Sequence, residues 1–341
     1  MDDININSER VVRNKITLIS FICSILVIWI HAYNVETYGI NASSTGIASI
    51  VWTIESFGRK ITQIAVPVFF LLSGYLFFRT FTWKKLVDKY KSRLKSIVIP
   101  YLVWCSIYYL YFVFLTNVPI IRNYMHSDRI CLSIYNWLLS LWPKSYYTLW
   151  FLKNLILFIA ITPILYITLK NRLHFYVGLF VVFALIVNTN FKIVNGVPEG
   201  LDMYVIGSYI AINHANLIYY RNKKVTFICI FLLIVMLATK IMVLNNITMV
   251  AFLLTVWFSL DVFKLELDMP WWLKITFFIY VFHDIVLEAM EKLFLLVFGN
   301  NPLMALFGYL FMPLFCLIII IFFACIIRHV KPLYNILIGF R

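Results

Sequence analysis

The sequence predicts an all-α integral membrane protein: a polytopic bundle of about ten transmembrane helices with both termini cytoplasmic. Three observations carry this. Of 341 residues, 63% are hydrophobic, 18% aromatic and only 13% charged, a balance that soluble domains of this size do not show. The apolar residues fall into repeated stretches near the roughly 20 residues a helix needs to cross a bilayer. Lys and Arg are gathered into short clusters between those stretches, which is how membrane topology is encoded. The net charge of +14 therefore encodes orientation, and no nucleic-acid partner is expected.

Taken in order, spans are expected at 16–38, 57–78, 97–115, 147–169, 174–190, 201–216, 225–243, 247–263, 272–297 and 303–327. The sixth is the most polar, because it holds Asp202, Asn213 and His214. With the N-terminus inside, 20 of the 29 basic residues lie in cytoplasmic segments, the densest running from Arg79 to Lys95. Residues 1–341 then form one membrane domain, with 1–15 and 328–341 as its cytoplasmic ends. The first span is not expected to be a cleaved signal, since no small-residue cleavage site follows it. The longest outer segment, 116–146, contains Arg122, His126, Asp128, Arg129 and Lys144, a polar surface suited to a hydrophilic substrate. Five of the six cysteines fall in spans, and Cys131 lies alone in a loop. That excludes a disulfide framework and gives no metal-ligand spacing, so neither a metal nor a permanently bound cofactor is expected. There is no Gly-rich phosphate loop, no nucleophile elbow and no internal repeat.

A few polar residues interrupt the apolar pattern. His31 arrives about 22 Å along the first span, counted from Ile16 at about 1.5 Å per residue. An ionisable side chain at that depth must face a partner or a wet cavity, and histidine is well suited to moving a proton near neutral pH. The plainer alternative is a histidine hydrogen-bonded at the outer interface. Arg59 and Gln63 open the second span four residues apart, on one helix face, with Pro67 able to kink the helix beyond them. Arg59 and Lys60 either contribute to an anion or carbonyl site or snorkel to headgroups. The basic run 83–95 either sets topology and attracts anionic lipid or docks a phosphorylated donor. Trp150 fits an interfacial belt, and Lys153 either snorkels or lines an outer cavity. In the ninth span His283 and Asp284 are adjacent and point in different directions, so each is expected to meet a neighbouring span; Glu288 and Glu291 follow further out.

Six segments, SILVIWIHAYN, RKITQIAVPVFFLLSGYLFF, RLKSIVIPYLVW, LWFLKNLILFIAITPILY, MYVIGSYIAI and ITFFIYVFHDIVL, occur in the order found in membrane-bound acyltransferase family 3, which the chain resembles over most of its length. That family comprises bacterial integral-membrane O-acyltransferases of surface glycans. The resemblance implies a ten-helix bundle in the bacterial cytoplasmic (inner) membrane. It would take an acyl group, usually acetyl, from acyl-CoA as co-substrate and pass it to a hydroxyl of a cell-surface or lipid-linked glycan. It points to His31 as the essential histidine and to Arg93 and its neighbours as donor contacts. The chain departs from the family in two places. Ser20 stands where many members have an arginine with ten residues between it and the histidine. Lys153-Asn154 stands where relatives often have Arg-Asp.

On this basis His31, Arg59 and His283 are expected to be catalytic. Lys91, Arg93, Lys95 and Tyr101 are expected to hold acyl-CoA. Trp150, Lys153 and Asp284 are expected to contact the acceptor. His31 would be the general base toward the hydroxyl, with Arg59 and Lys153 at the oxyanion; an acyl-enzyme on His31 is the alternative route. The rival class is a transporter of glycans or lipid-linked sugars, whose pathway buried Arg, Lys and His could equally line. A glycan polymerase or ligase would be expected to carry a larger charged outer loop. The partners are thus acyl-CoA, a glycan acceptor and membrane lipid, with the oligomeric state left open.

Overall fold

A computed structural model of the chain describes residues 2–119, 122, 128–141, 147–170, 200–239, 246–263 and 265–340. Every regular element among the described residues is helical. Four helices are long and apolar enough to cross a membrane: Ser8–His31, Ile47–Phe78, Trp83–Asn117 and Pro302–Ile327. Trp150–Ala160 and Thr162–Lys170 reach span length only as a pair, interrupted at Ile161. The expected fifth span, 174–190, lies outside the described residues.

Helix Thr276–Phe298 has 23 residues, so at about 1.5 Å each it is long enough to span. It also carries Asp284, Glu288, Glu291 and Lys292, more charge than a lipid-facing helix tolerates. Its buried residues include Tyr280, His283 and Leu287, so part of the polar stretch is turned into protein.

Several expected boundaries move, each for a physical reason. The first helix, α1, runs unbroken from Asp2 to His31. Lys15, expected among the solvated topology charges, is only 1% exposed. Its Nζ donates to Asp261 Oδ2 at 2.8 Å and to the Trp257 carbonyl at 2.9 Å. Next to it, Asn14 Nδ2 donates to the carbonyls of Leu265 and Leu267. The second span starts about ten residues before its expected position and is split into α2 (Ile47–Thr62) and α3 (Ala65–Phe78). Pro67 accounts for the split: lacking an N–H, it leaves the Gln63 carbonyl without a helical donor, and the break falls at Gln63 and Ile64. The basic run before the third span is itself helical, Leu86–Arg93, followed by one π-helical turn at Leu94–Val98 and then Ile99–Asn117. The wider turn sits where Pro100 would otherwise collide with the preceding carbonyls. The expected sixth span is the helix Leu201–Asn213, which has 13 residues and is short for a span.

The chain divides into two compact units, Met1–Thr80 with Pro163–Phe322, and Phe81–Thr162 with Phe323–Arg341. In the first, α1 packs on α2, α3 and Thr276–Phe298. There α3 and Leu201–Asn213 meet backbone to backbone. A Cβ on Gly74 would lie 2.2 Å from the Tyr204 carbonyl oxygen, and one on Gly207 would lie 1.9 Å from that of Leu71. Small residues at reciprocal positions let two apolar helices approach closely where no hydrophobic effect drives them together. In the second unit, Tyr101 donates to the Leu141 carbonyl at 2.7 Å and Trp104 Nε1 to that of Leu337 at 3.2 Å.

The glycine contact yields a direct test. Gly207→Val is expected to destabilise the first unit by about 1–3 kcal/mol through overpacking. A lowered melting temperature in detergent would show it; an unchanged one would mean that the helices do not meet at these glycines.

Candidate functional site

The site lies in the first unit, where α1 ends. Ala32 still donates to the Ile28 carbonyl, and the chain then leaves the helix. His31 is thus the last helical residue, and its ring faces His283 with centroids 5.0 Å apart and planes at 54°. The expectation that His283 meets a neighbouring span is met by this contact.

The local structure fixes which His283 nitrogen carries hydrogen. Nδ1 lies 2.6 Å from the Tyr280 carbonyl oxygen. A carbonyl only accepts, so Nδ1 donates and Nε2 is left with its lone pair. His283 is 0% exposed, and Nε2 has no hydrogen-bond partner among the described residues. Leaving such an atom unsatisfied costs about 1–3 kcal/mol, a cost for which packing alone offers no reason. The backbone behind it is held as well, since Cys316 Sγ lies 3.7 Å from the His283 carbonyl. Asp284 directly follows His283 in the same helix. Arg59 projects from α2 with its guanidinium 4.4 Å from the centre of the Tyr33 ring. That placement differs from simple snorkelling: the cation is held on an aromatic face two residues past His31. His31, Arg59, His283 and Asp284, four of the expected residues, are therefore gathered in one place.

Two residues at the same place, Glu55 and Asn34, were not anticipated. Glu55 is 0% exposed, and its Oε2 accepts the Asn34 N–H at 3.1 Å. Asn34 Nδ2 donates in turn to the Ala305 carbonyl at 3.1 Å. Glu55 Oε1, Asn34 Oδ1 and Glu291 Oε1 are buried without hydrogen-bond partners among the described residues. The signal for Glu55 was present as a lone acid in the apolar stretch IVWTIESF. The expected start of the span at Phe57 leaves Glu55 outside it.

The remaining expected residues belong to the second unit. Lys91 and Lys95 are exposed and Arg93 is half-buried. Tyr101, expected among the donor contacts, is only 1% exposed, and its hydroxyl proton is committed to Leu141. Trp150 and Lys153 are half-buried in the first turn of Trp150–Ala160.

Chemically, the first-unit site offers an imidazole lone pair beside a second imidazole, with a fixed cation and an acid in range. Such a set can take a proton from a hydroxyl and stabilise developing negative charge. Among known proteins, no curated sequence and no solved structure matches the chain. The family described as an acyltransferase domain, acyltransferase family 3, matches residues 13–326. That range takes in His31, Arg59, the basic run and His283, and it covers nearly the whole sequence. The chain belongs to acyltransferase family 3 and is a membrane acyltransferase.

Proposed function

We propose that this acyltransferase is a ten-span protein of the bacterial cytoplasmic membrane with both termini inside. It moves an acyl group, usually acetyl, from cytoplasmic acyl-CoA to a hydroxyl of a cell-surface or lipid-linked glycan. The observation that carries the reading is the His31–His283 pair with the open lone pair on His283 Nε2. Two imidazoles with one nitrogen pre-set as an acceptor suit proton transfer, which acyl transfer to a hydroxyl requires.

In this reading the acceptor hydroxyl gives its proton to His31 as its oxygen attacks the thioester carbonyl. The new C–O bond forms, the tetrahedral intermediate collapses, and the C–S bond breaks. The proton then passes from His31 to the departing thiolate, so the reaction is balanced without an external proton. His283 holds the His31 ring through Nε2 when His31 turns an N–H toward it, which leaves the other His31 nitrogen free to act as base. Arg59 offsets the charge on the oxyanion. Asp284, Trp150 and Lys153 are assigned to the acceptor. Lys91, Arg93 and Lys95 are assigned to the CoA phosphates, for which exposed ammonium groups and a forked guanidinium are suited.

The base assignment predicts a specific pattern. His31→Gln keeps hydrogen-bonding ability but cannot accept a proton at useful pH, so acyl transfer from acyl-CoA should fall by about 10²–10⁴-fold while insertion persists. His283→Asn keeps a donor for the Tyr280 carbonyl but removes the lone pair, and it should fall comparably. Turnover within a few-fold of wild type in His31→Gln would remove His31 from the chemistry.

The donor assignment is tested separately. Arg93→Ala should raise KM for acyl-CoA, with Lys84→Ala, farther from the third span, affecting it less. Equal and small effects would instead favour attraction to anionic lipid as the purpose of the basic run.

A further inference from the structure

The stretch that follows His31 is held more firmly than a connection between two helices requires. Two residues before His31, Trp29 Nε1 donates to the Tyr309 carbonyl at 3.0 Å. Three residues after it, the Asn34 N–H donates to Glu55 Oε2, and Nδ2 of the same residue donates to the Ala305 carbonyl. One turn further along α2, Arg59 lies over Tyr33. Between these two points, a Cβ on Gly58 would fall 2.0 Å from Tyr309 Oη, so α2 and Pro302–Ile327 meet with no room to slide. Val35, Tyr38, Ile40, Val51 and Ala305 form a buried cluster against the same turn.

A fully buried carboxyl among apolar helices is costly to keep. Among the described residues Glu55 forms no ion pair, and its hydrogen bond goes to the backbone N–H of Asn34. Such a bond dictates where a chain turns. We infer that Glu55 is a positioning residue: by holding the N–H of Asn34, whose side chain is itself tied to the Ala305 carbonyl, it fixes the exit turn of α1 and thereby the pose of His31 toward His283. This rests on His31 as the reacting base, and the test separates the two claims.

Three variants at one position provide that test. Glu55→Gln keeps an oxygen able to accept the Asn34 N–H, Glu55→Ala removes it, and Glu55→Asp withdraws it by one methylene. Turnover of acyl-CoA is measured, together with the rate at which diethyl pyrocarbonate modifies His31, followed by mass spectrometry. Glu55→Ala should lower kcat by about 10²-fold, the cost of a misplaced catalytic group, with KM for acyl-CoA unchanged. It should also change the modification rate of His31 several-fold. Glu55→Asp should shift both readouts in the same direction, and it stands in for Glu55→Ala if that protein does not accumulate. Glu55→Gln should stay close to wild type in both. Two results would overturn the inference: wild-type kcat and labelling in the shortened variants, or a Glu55→Gln protein as impaired as Glu55→Ala, which would assign the effect to the acid's charge or proton. If His31→Gln retained turnover while labelling still responded to Glu55→Ala, positioning would stand and the base assignment would fall.

Discussion

A histidine placed among apolar helices has to be met by something polar, and what meets His31 shapes much of the first unit. The ring that faces it sits on Thr276–Phe298, the helix whose charges set it apart from an ordinary span. For the two rings to lie 5.0 Å apart, α1 and that helix must pack along their length, and they do. The same constraint explains why the exit of α1 is tied down. A contact between two imidazoles is useful only if neither ring drifts, and each is anchored through its own backbone or its neighbours'. His283 is anchored by its Nδ1–H to the Tyr280 carbonyl, and the segment around His31 by Trp29, Asn34 and Glu55.

Much of this was legible in the sequence, because polar residues in apolar runs stand out. His31, Arg59, His283 and Asp284 were each picked out that way, and the structure gathers them. Pro67 announced a disturbance in the second span, and a break lies one turn before it. Other features depend on tertiary contacts that no spacing rule reports. The tautomer of His283 follows from one carbonyl three residues back in its own helix. Lys15 reads as a topology charge until Asp261, 246 residues away, is found beside it. Glu55 was missed for a plainer reason: apolar patterning locates the middle of a helix well and its ends poorly, and α2 begins at Ile47.

The second unit shows a different division of labour. Its basic residues divide by exposure, with Lys91 and Lys95 facing outward and Arg93 partly covered. Tyr101, directly after Pro100, is buried, and its hydroxyl donates to the carbonyl of Leu141. Membership in acyltransferase family 3 sets the transporter reading aside.

The central claim is that His31 and His283 act as one catalytic unit, and a double-mutant cycle on acyl-CoA turnover tests it most directly. Residues that act as a unit are strongly non-additive. The account predicts that the double variant His31→Gln with His283→Asn loses little more activity than the more damaged single variant. If the two losses multiply, the histidines act independently and the pairing seen between their rings has no catalytic meaning.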